Sequence, residues 1–227
     1  MLDEGRDQAE TTSATGVRAE SRWPMALAVL ATAVLHDLLP KTFQLAPRGV
    51  YAGSMAVLLV VLVIGDPGRI DRPRQWSHTV TGVMIALILL VNAFSAVRLV
   101  NGILRNDSFG GPGSLLLTGF VVWATNVIAF ALWYWNRDGG GAAVRATEPG
   151  RIPPSFVFPE MTMPEFAPPG WYPRFADYLV LSFNTGLAFS PTDVSAVRIW
   201  AKLLMVVESL ISLALAALVI ARAVNIL

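Results

Sequence analysis

Long apolar runs alternate with short polar breaks along this chain, and the length of the runs predicts helices rather than strands. A helix that crosses a bilayer takes about 20 mostly apolar residues. Five runs approach that length: Pro24–Leu39, Val50–Ile64, roughly Thr79–Leu104, roughly Gly113–Trp135, and Val197–Val224. The first is short and carries His36-Asp37 near its end, so it either spans with that pair at the interface or lies partly on the surface. Pro24 suits a first helical turn. The second opens on the small residues Tyr51-Ala52-Gly53-Ser54 and is stopped by Gly65-Asp66-Pro67-Gly68. The third holds Asn92 and Arg98. The fourth is introduced by Gly110-Gly111-Pro112-Gly113 and closes on Trp133-Tyr134-Trp135, which reads as an aromatic belt at the membrane interface. Arg198 and Lys202 anchor one end of the fifth, with Arg222 and Asn225 at the other.

The stretch Phe175–Asp193, FADYLVLSFNTGLAFSPTD, breaks this rhythm. It is too short to cross, and Ser190-Pro191-Thr192-Asp193 cannot continue a helix. A short helix followed by polar backbone beside a long apolar helix reads as a re-entrant hairpin. Such backbone survives at membrane depth only where protein surrounds it or where it lines water. Between the fourth run and this hairpin lies a Gly- and Pro-rich loop, 136–173. Its second half carries Phe156, Phe158, Phe166, Trp171 and Tyr172, enough aromatics to expect it folded over onto the helices or the headgroups.

The expected organisation is therefore a disordered polar tail (1–22), a four-helix membrane region (23–135), the loop (136–173), and a pore-like module of hairpin plus last helix (174–227). The fold class is an all-α integral membrane protein with about five transmembrane helices plus one re-entrant, pore-loop-like hairpin.

Composition agrees. The 227 residues are 54% hydrophobic and 15% charged, where soluble domains are about one quarter charged. A net charge of +1 gives no field that would favour nucleic acid. There is no Cys, which excludes disulfides, Cys-ligated metal and thiol chemistry, and with only His36 and His78 a multi-His metal site is not available. The first apolar run is followed by Pro40-Lys41 rather than a small-residue cleavage site, so no secretory signal peptide is expected. GxSxG, HExxH and P-loop patterns are missing. The expectation is not an enzyme, with no cofactor, whose partners are the lipid bilayer and further copies of itself.

Several polar residues fall inside apolar stretches. Glu208, in LLMVVESLISL, is too costly to face lipid; it is either a carboxylate facing or bracing a pore, or a structural hydrogen-bond partner or protonated acid. Asp193 either draws cations to an entrance or caps the turn before the next helix. Asn184 and Thr185 line a pathway or bond a neighbouring helix. Asn92 and Asn126 read first as helix–helix glue. His36 and Asp37 are adjacent and so point to different sides of a helix, which favours an interfacial pair over a proton relay.

Two resemblances follow from these residues. ALWYW (131–135), the Gly-rich loop, DYLVLSFNTGLAFSPTDV (177–194) and VIARAVNIL (219–227) look like a family of uncharacterised bacterial inner-membrane proteins with four spans, a loop, a hairpin and a last helix. Phe175–Val224 also resembles the pore-helix, filter and inner-helix module of the potassium channel superfamily. Ser182 and Thr185 fall on pore-helix Ser/Thr positions, Asp193 on the Asp after the filter, Glu208 on the inner-helix Glu, and Ser212 on the hinge Gly. That resemblance implies an ion channel, a homotetramer in the bacterial inner membrane, with Ser182, Asn184, Thr185, Ala188, Phe189, Ser190, Pro191, Thr192 and Asp193 around the pathway and Glu208 and Ser212 on the inner helix. The filter itself departs: Ala188-Phe189-Ser190-Pro191-Thr192 stands where Thr-Val-Gly-Tyr-Gly is required. Both glycines are gone, and alternating carbonyl rings need backbone that glycine supplies. The implied pore is not potassium-selective. The alternative expectation is a non-conducting membrane protein with a structural hairpin, binding lipid or a partner.

Orientation is open at this level. Arg6, Arg18, Arg22, Arg69, Arg72 and Arg74 on one side face Lys41, Arg48, Arg98, Arg105 and Arg222 on the other, with a lean to a cytoplasmic C-terminus.

Overall fold

The computed structural model of the chain describes residues 20–47, 49–65, 69–70, 74–187 and 193–226. It is mostly helical. Its apolar runs become α1 (Trp23–Leu38), α2 (Val50–Gly65), α3 (Gln75–Leu104) and α4 (Pro112–Arg137). Two short helices follow, α5 (Ala142–Thr147) and α6 (Pro159–Thr162), then α7 (Phe175–Leu187) and α8 (Ile199–Ile226). Two antiparallel bridges tie the loops: β1 (Glu20–Ser21) with β2 (Arg69–Ile70), and β3 (Phe156–Val157) with β4 (Ser195–Ala196).

Among the described residues three helices, α3, α4 and α8, are long and apolar enough to cross a membrane. α1 and α2 are apolar but only 16 residues each. Pro24 and Pro112 sit in the first turns of α1 and α4, where a missing N–H costs nothing. Gly111, at φ 117, makes the left-handed approach to α4 that a side chain would resist.

α4 is the axis of the molecule. Two-thirds of its apolar window (67%) is buried inside the protein, against 22% for α8. It packs on α1, α3, α7 and α8. The outer faces of α3 and α8 are apolar and uncovered, with Leu90, Val97, Leu203, Leu210 and Val224 exposed, as lipid-facing helices are. Where α4 meets α8, Gly119 lets the backbones close up: a Cβ there would stand 2.8 Å from Val219 Cγ1.

Two apolar clusters fill the two ends. Met25, Leu62, Trp135, Phe156, Phe175 and Tyr178 belong to the near rim, where α1 and α3 begin and α2 and α4 finish. Leu39, Phe43, Leu99, Leu115 and Val219 belong to the far rim. The chain leaves α4 at the near rim, and the following loop stays there, with Phe156 and Phe158 buried and Phe166 exposed.

The aromatic belt expected at Trp133-Tyr134-Trp135 is corrected by this packing. Tyr134 and Trp135 are buried, 0% and 3% exposed, and only Trp133 is part-exposed.

Candidate functional site

α7 begins at the near rim, where the Phe175 ring stands edge-on to Trp135 at 6.0 Å. It ends deep in the bundle, where Gly186 faces Val127 of α4 and Ser212 of α8. The last carbonyls of a helix have no partner of their own. Here Trp123 Nε1 donates to Gly186 O at 3.2 Å and Ser209 Oγ to Thr185 O at 3.2 Å, so the end of α7 is closed by α4 and α8.

One buried carboxylate stands at the junction of these three helices. Glu208 is fully buried. Tyr134 OH of α4 donates to its Oε2 at 2.6 Å, and Ser182 Oγ of α7 bonds its Oε1. Ser182 Oγ also lies 2.7 Å from Val127 O. Both carboxylate oxygens are thus held by hydroxyls. Loss of either would leave a buried acceptor unmatched, at a cost of about 1–3 kcal/mol. A chain of amides continues the junction: Asn92 Nδ2 donates to Asn126 Oδ1 at 3.5 Å, and Asn126 Nδ2 to Ser212 Oγ at 3.4 Å, linking α3, α4 and α8.

The structure therefore brings together Ser182, Thr185, Glu208 and Ser212 of the candidate set, all buried inside their own chain. Thr185 Oγ1 turns back on Leu181 O of its own helix at 2.8 Å. Asn184 is half-buried and Asp193 exposed, and neither joins this junction. Ala188, Phe189, Ser190, Pro191 and Thr192 lie outside the described residues.

A second polar cluster at the near rim has no precedent among the sequence candidates. Asp138, fully buried, accepts from Tyr178 OH at 2.6 Å and from the Ser155 and Phe156 amides, which pins the loop onto α7. The Arg145 guanidinium lies 4.9 Å over the Tyr178 ring and donates to Trp135 O at 2.8 Å. Glu20, 3% exposed, accepts from Trp135 Nε1 at 3.1 Å and from the Phe175 amide at 2.8 Å. Burial pushes the Glu20 carboxyl above its ordinary range, opposed by the Phe175 amide and by the charge of Arg145.

Sequence reasoning missed this cluster for physical reasons. Glu20 lies in a segment that reads as polar tail, and its partners Trp135 and Phe175 are far along the chain. The Asp138-Gly139-Gly140-Gly141 run reads only as a turn. One signal was available: an acid directly beside three glycines at the end of an apolar helix is well placed to bind backbone amides of a returning loop.

No cluster of His, Asp or Glu among the described residues is arranged to hold a metal ion. Comparisons with protein families, with curated proteins and with solved structures give no match.

Proposed function

We propose that this is a multi-pass membrane protein, placed in the bacterial inner membrane by its likeness in layout, in which α7 is a re-entrant strut and the chain binds lipid or a partner without conducting. In this reading α1 and α2 join the three long helices as spans. Re-entry is supported by two observations. α7 starts at the near rim beside Trp135, and β4, beyond its end, pairs with β3 of the near-rim loop.

The observation that carries the non-conducting reading is the fate of the polar groups on α7. Ser182 is spent on Glu208 and Val127 O, and Thr185 on its own helix, while α4 and α8 close the helix end. A pathway needs such groups turned toward water, and these are turned into protein.

A conducting homotetramer remains a second reading because of one observation: Glu208 braces Ser182 where the channel resemblance expects the acid behind a pore helix. Flux across liposomes separates the two. We expect no ion current from purified wild-type protein, Thr185→Val or Asp193→Asn. A current from wild type whose ion preference changes in either variant would overturn the non-conducting reading.

A further inference from the structure

Three oxygens stand in line where α4, α7 and α8 meet. Glu208 Oε1 of α8 touches Ser182 Oγ of α7, and Ser182 Oγ lies 2.7 Å from Val127 O of α4. Each of these two contacts has hydrogen-bond geometry, so each needs a proton of its own. Val127 O is a carbonyl oxygen and only accepts. A serine hydroxyl carries one proton. When Ser182 gives that proton to Val127 O, the contact with Glu208 needs a proton from the acid. When Ser182 gives it to Glu208 instead, two acceptor oxygens face each other at 2.7 Å with nothing between them. Ser182 and Glu208 are both 0% exposed, so no bulk water relieves that clash.

The second oxygen of the acid fits the first arrangement. Tyr134 OH donates to Oε2 at 2.6 Å, as a donor does to the carbonyl oxygen of a neutral carboxyl group. Among the described residues these two hydroxyls are the groups bonded to the carboxyl, and neither is charged. An ionised carboxylate is costly to bury without a cation beside it, and an acid that keeps its proton avoids the cost. The polar groups one turn away are neutral and engaged elsewhere. Thr185 Oγ1 bonds Leu181 O, Ser209 Oγ bonds Thr185 O, and Asn126 Nδ2 bonds Ser212 Oγ.

We infer that Glu208 is a proton-binding site inside the bundle: its carboxyl is neutral, with the proton on Oε1. A directed chain then runs from Oε1–H to Ser182 Oγ, and from the Ser182 hydroxyl proton to Val127 O. The Tyr134, Glu208 and Ser182 hydroxyl protons meet Oε2, Ser182 Oγ and Val127 O, and no proton or acceptor in the chain is left over. The ligand of this site is a single proton, and it ties α8 to α7 and, through Ser182, to α4. The inference goes beyond the strut reading and does not depend on it. A strut and a braced pore helix could each carry a neutral acid, and flux is measured separately from protonation.

Infrared spectroscopy of the full chain in lipid nanodiscs near neutral pH reads the proton directly. Glu208→Gln is the reference, because its amide offers an acceptor to Tyr134 and a donor to Ser182. The other acids, Glu20 among them, are common to both proteins and cancel. Wild type minus Glu208→Gln should show the C=O band of a carboxylic acid, moving to lower frequency in heavy water. Carboxylate bands in its place, or a difference with no acid band, overturn the inference. Tyr134→Phe gives a reading that keeps Glu208, and it decides the matter where Glu208→Gln does not fold. Loss of the hydrogen bond to Oε2 should move the acid C=O band to higher frequency and leave the carboxylate region unchanged. A change confined to the carboxylate bands overturns the inference as well.

Discussion

At the scale of single residues the molecule is organised by buried acids, each held by donors from a different element. Glu20 is the one whose behaviour with pH can be argued. It sits outside the helices that cross, and burial raises its pKa. A carboxyl whose folded value is raised binds more protons in the folded than in the unfolded state. Its stabilising contribution is complete below the ordinary carboxylate range and is lost as pH rises through the raised value. β1 and the start of α1 should therefore loosen from Trp135 and Phe175 on going from acid toward neutral pH. The protection of the Ser21–Trp23 amides from hydrogen exchange, relative to their intrinsic rates at each pH, should fall across that range. Glu20→Gln keeps an acceptor for both donors and should flatten the dependence. Protection factors that do not change with pH in the wild type would exclude Glu20 as the cause.

At the scale of elements, what was legible in the sequence and what was not divides by distance along the chain. α3, α4 and α8 are local facts: apolar length is enough to find them, and Pro73, Gly111-Pro112 and Gly139 mark the start of α3 and the two ends of α4. The end of α7 near Leu187 is local too, since Ser190-Pro191 must interrupt a helix. The role of Tyr134 was not legible, because a tyrosine near a helix end looks alike whether it faces headgroups or a carboxylate on a distant helix. Glu208 could be placed in the interior by cost alone, but its partners Tyr134 and Ser182 could not. Small residues sit between these cases. Gly119 is unremarkable in sequence, and only the crossing of α4 and α8 shows why it has no side chain. Gly119→Ala would put a methyl 2.8 Å from Val219 Cγ1, on a branched side chain with little room to turn. Overpacking of this kind costs about 1–3 kcal/mol. The measurement is the unfolding midpoint in detergent, and Val219→Ala in the same chain should recover part of the loss. An unchanged midpoint in Gly119→Ala would mean that α4 and α8 can separate freely.

At the scale of the whole molecule the two rims differ in charge, and that difference predicts an orientation. Among the described residues, packing gathers Arg22, Arg74, Arg137, Arg145, Arg151, Arg174, Arg198 and Lys202 toward the near rim, while Lys41, Arg98, Arg105 and Arg222 lie toward the far rim. The balance read from sequence left out the 136–173 loop, which holds Arg137, Arg145 and Arg151. Counting it turns an even score into a bias, and short loops rich in arginine stay in the cytoplasm. We predict the near rim on the cytoplasmic side and the C-terminal end of α8 on the other, where the sequence leaned to a cytoplasmic C-terminus. This orientation also bears on the pore analogy. In that orientation α7 would enter from the cytoplasmic side, whereas channel pore loops enter from outside. The chain has no Cys, so single reporters are clean. Ser108→Cys marks the far rim and Glu165→Cys the near-rim loop, both at exposed positions. In right-side-out vesicles a membrane-impermeant maleimide should label Ser108→Cys at once and Glu165→Cys only after the bilayer is opened. The opposite pattern would put the near rim outside and restore the channel-like direction of entry for α7.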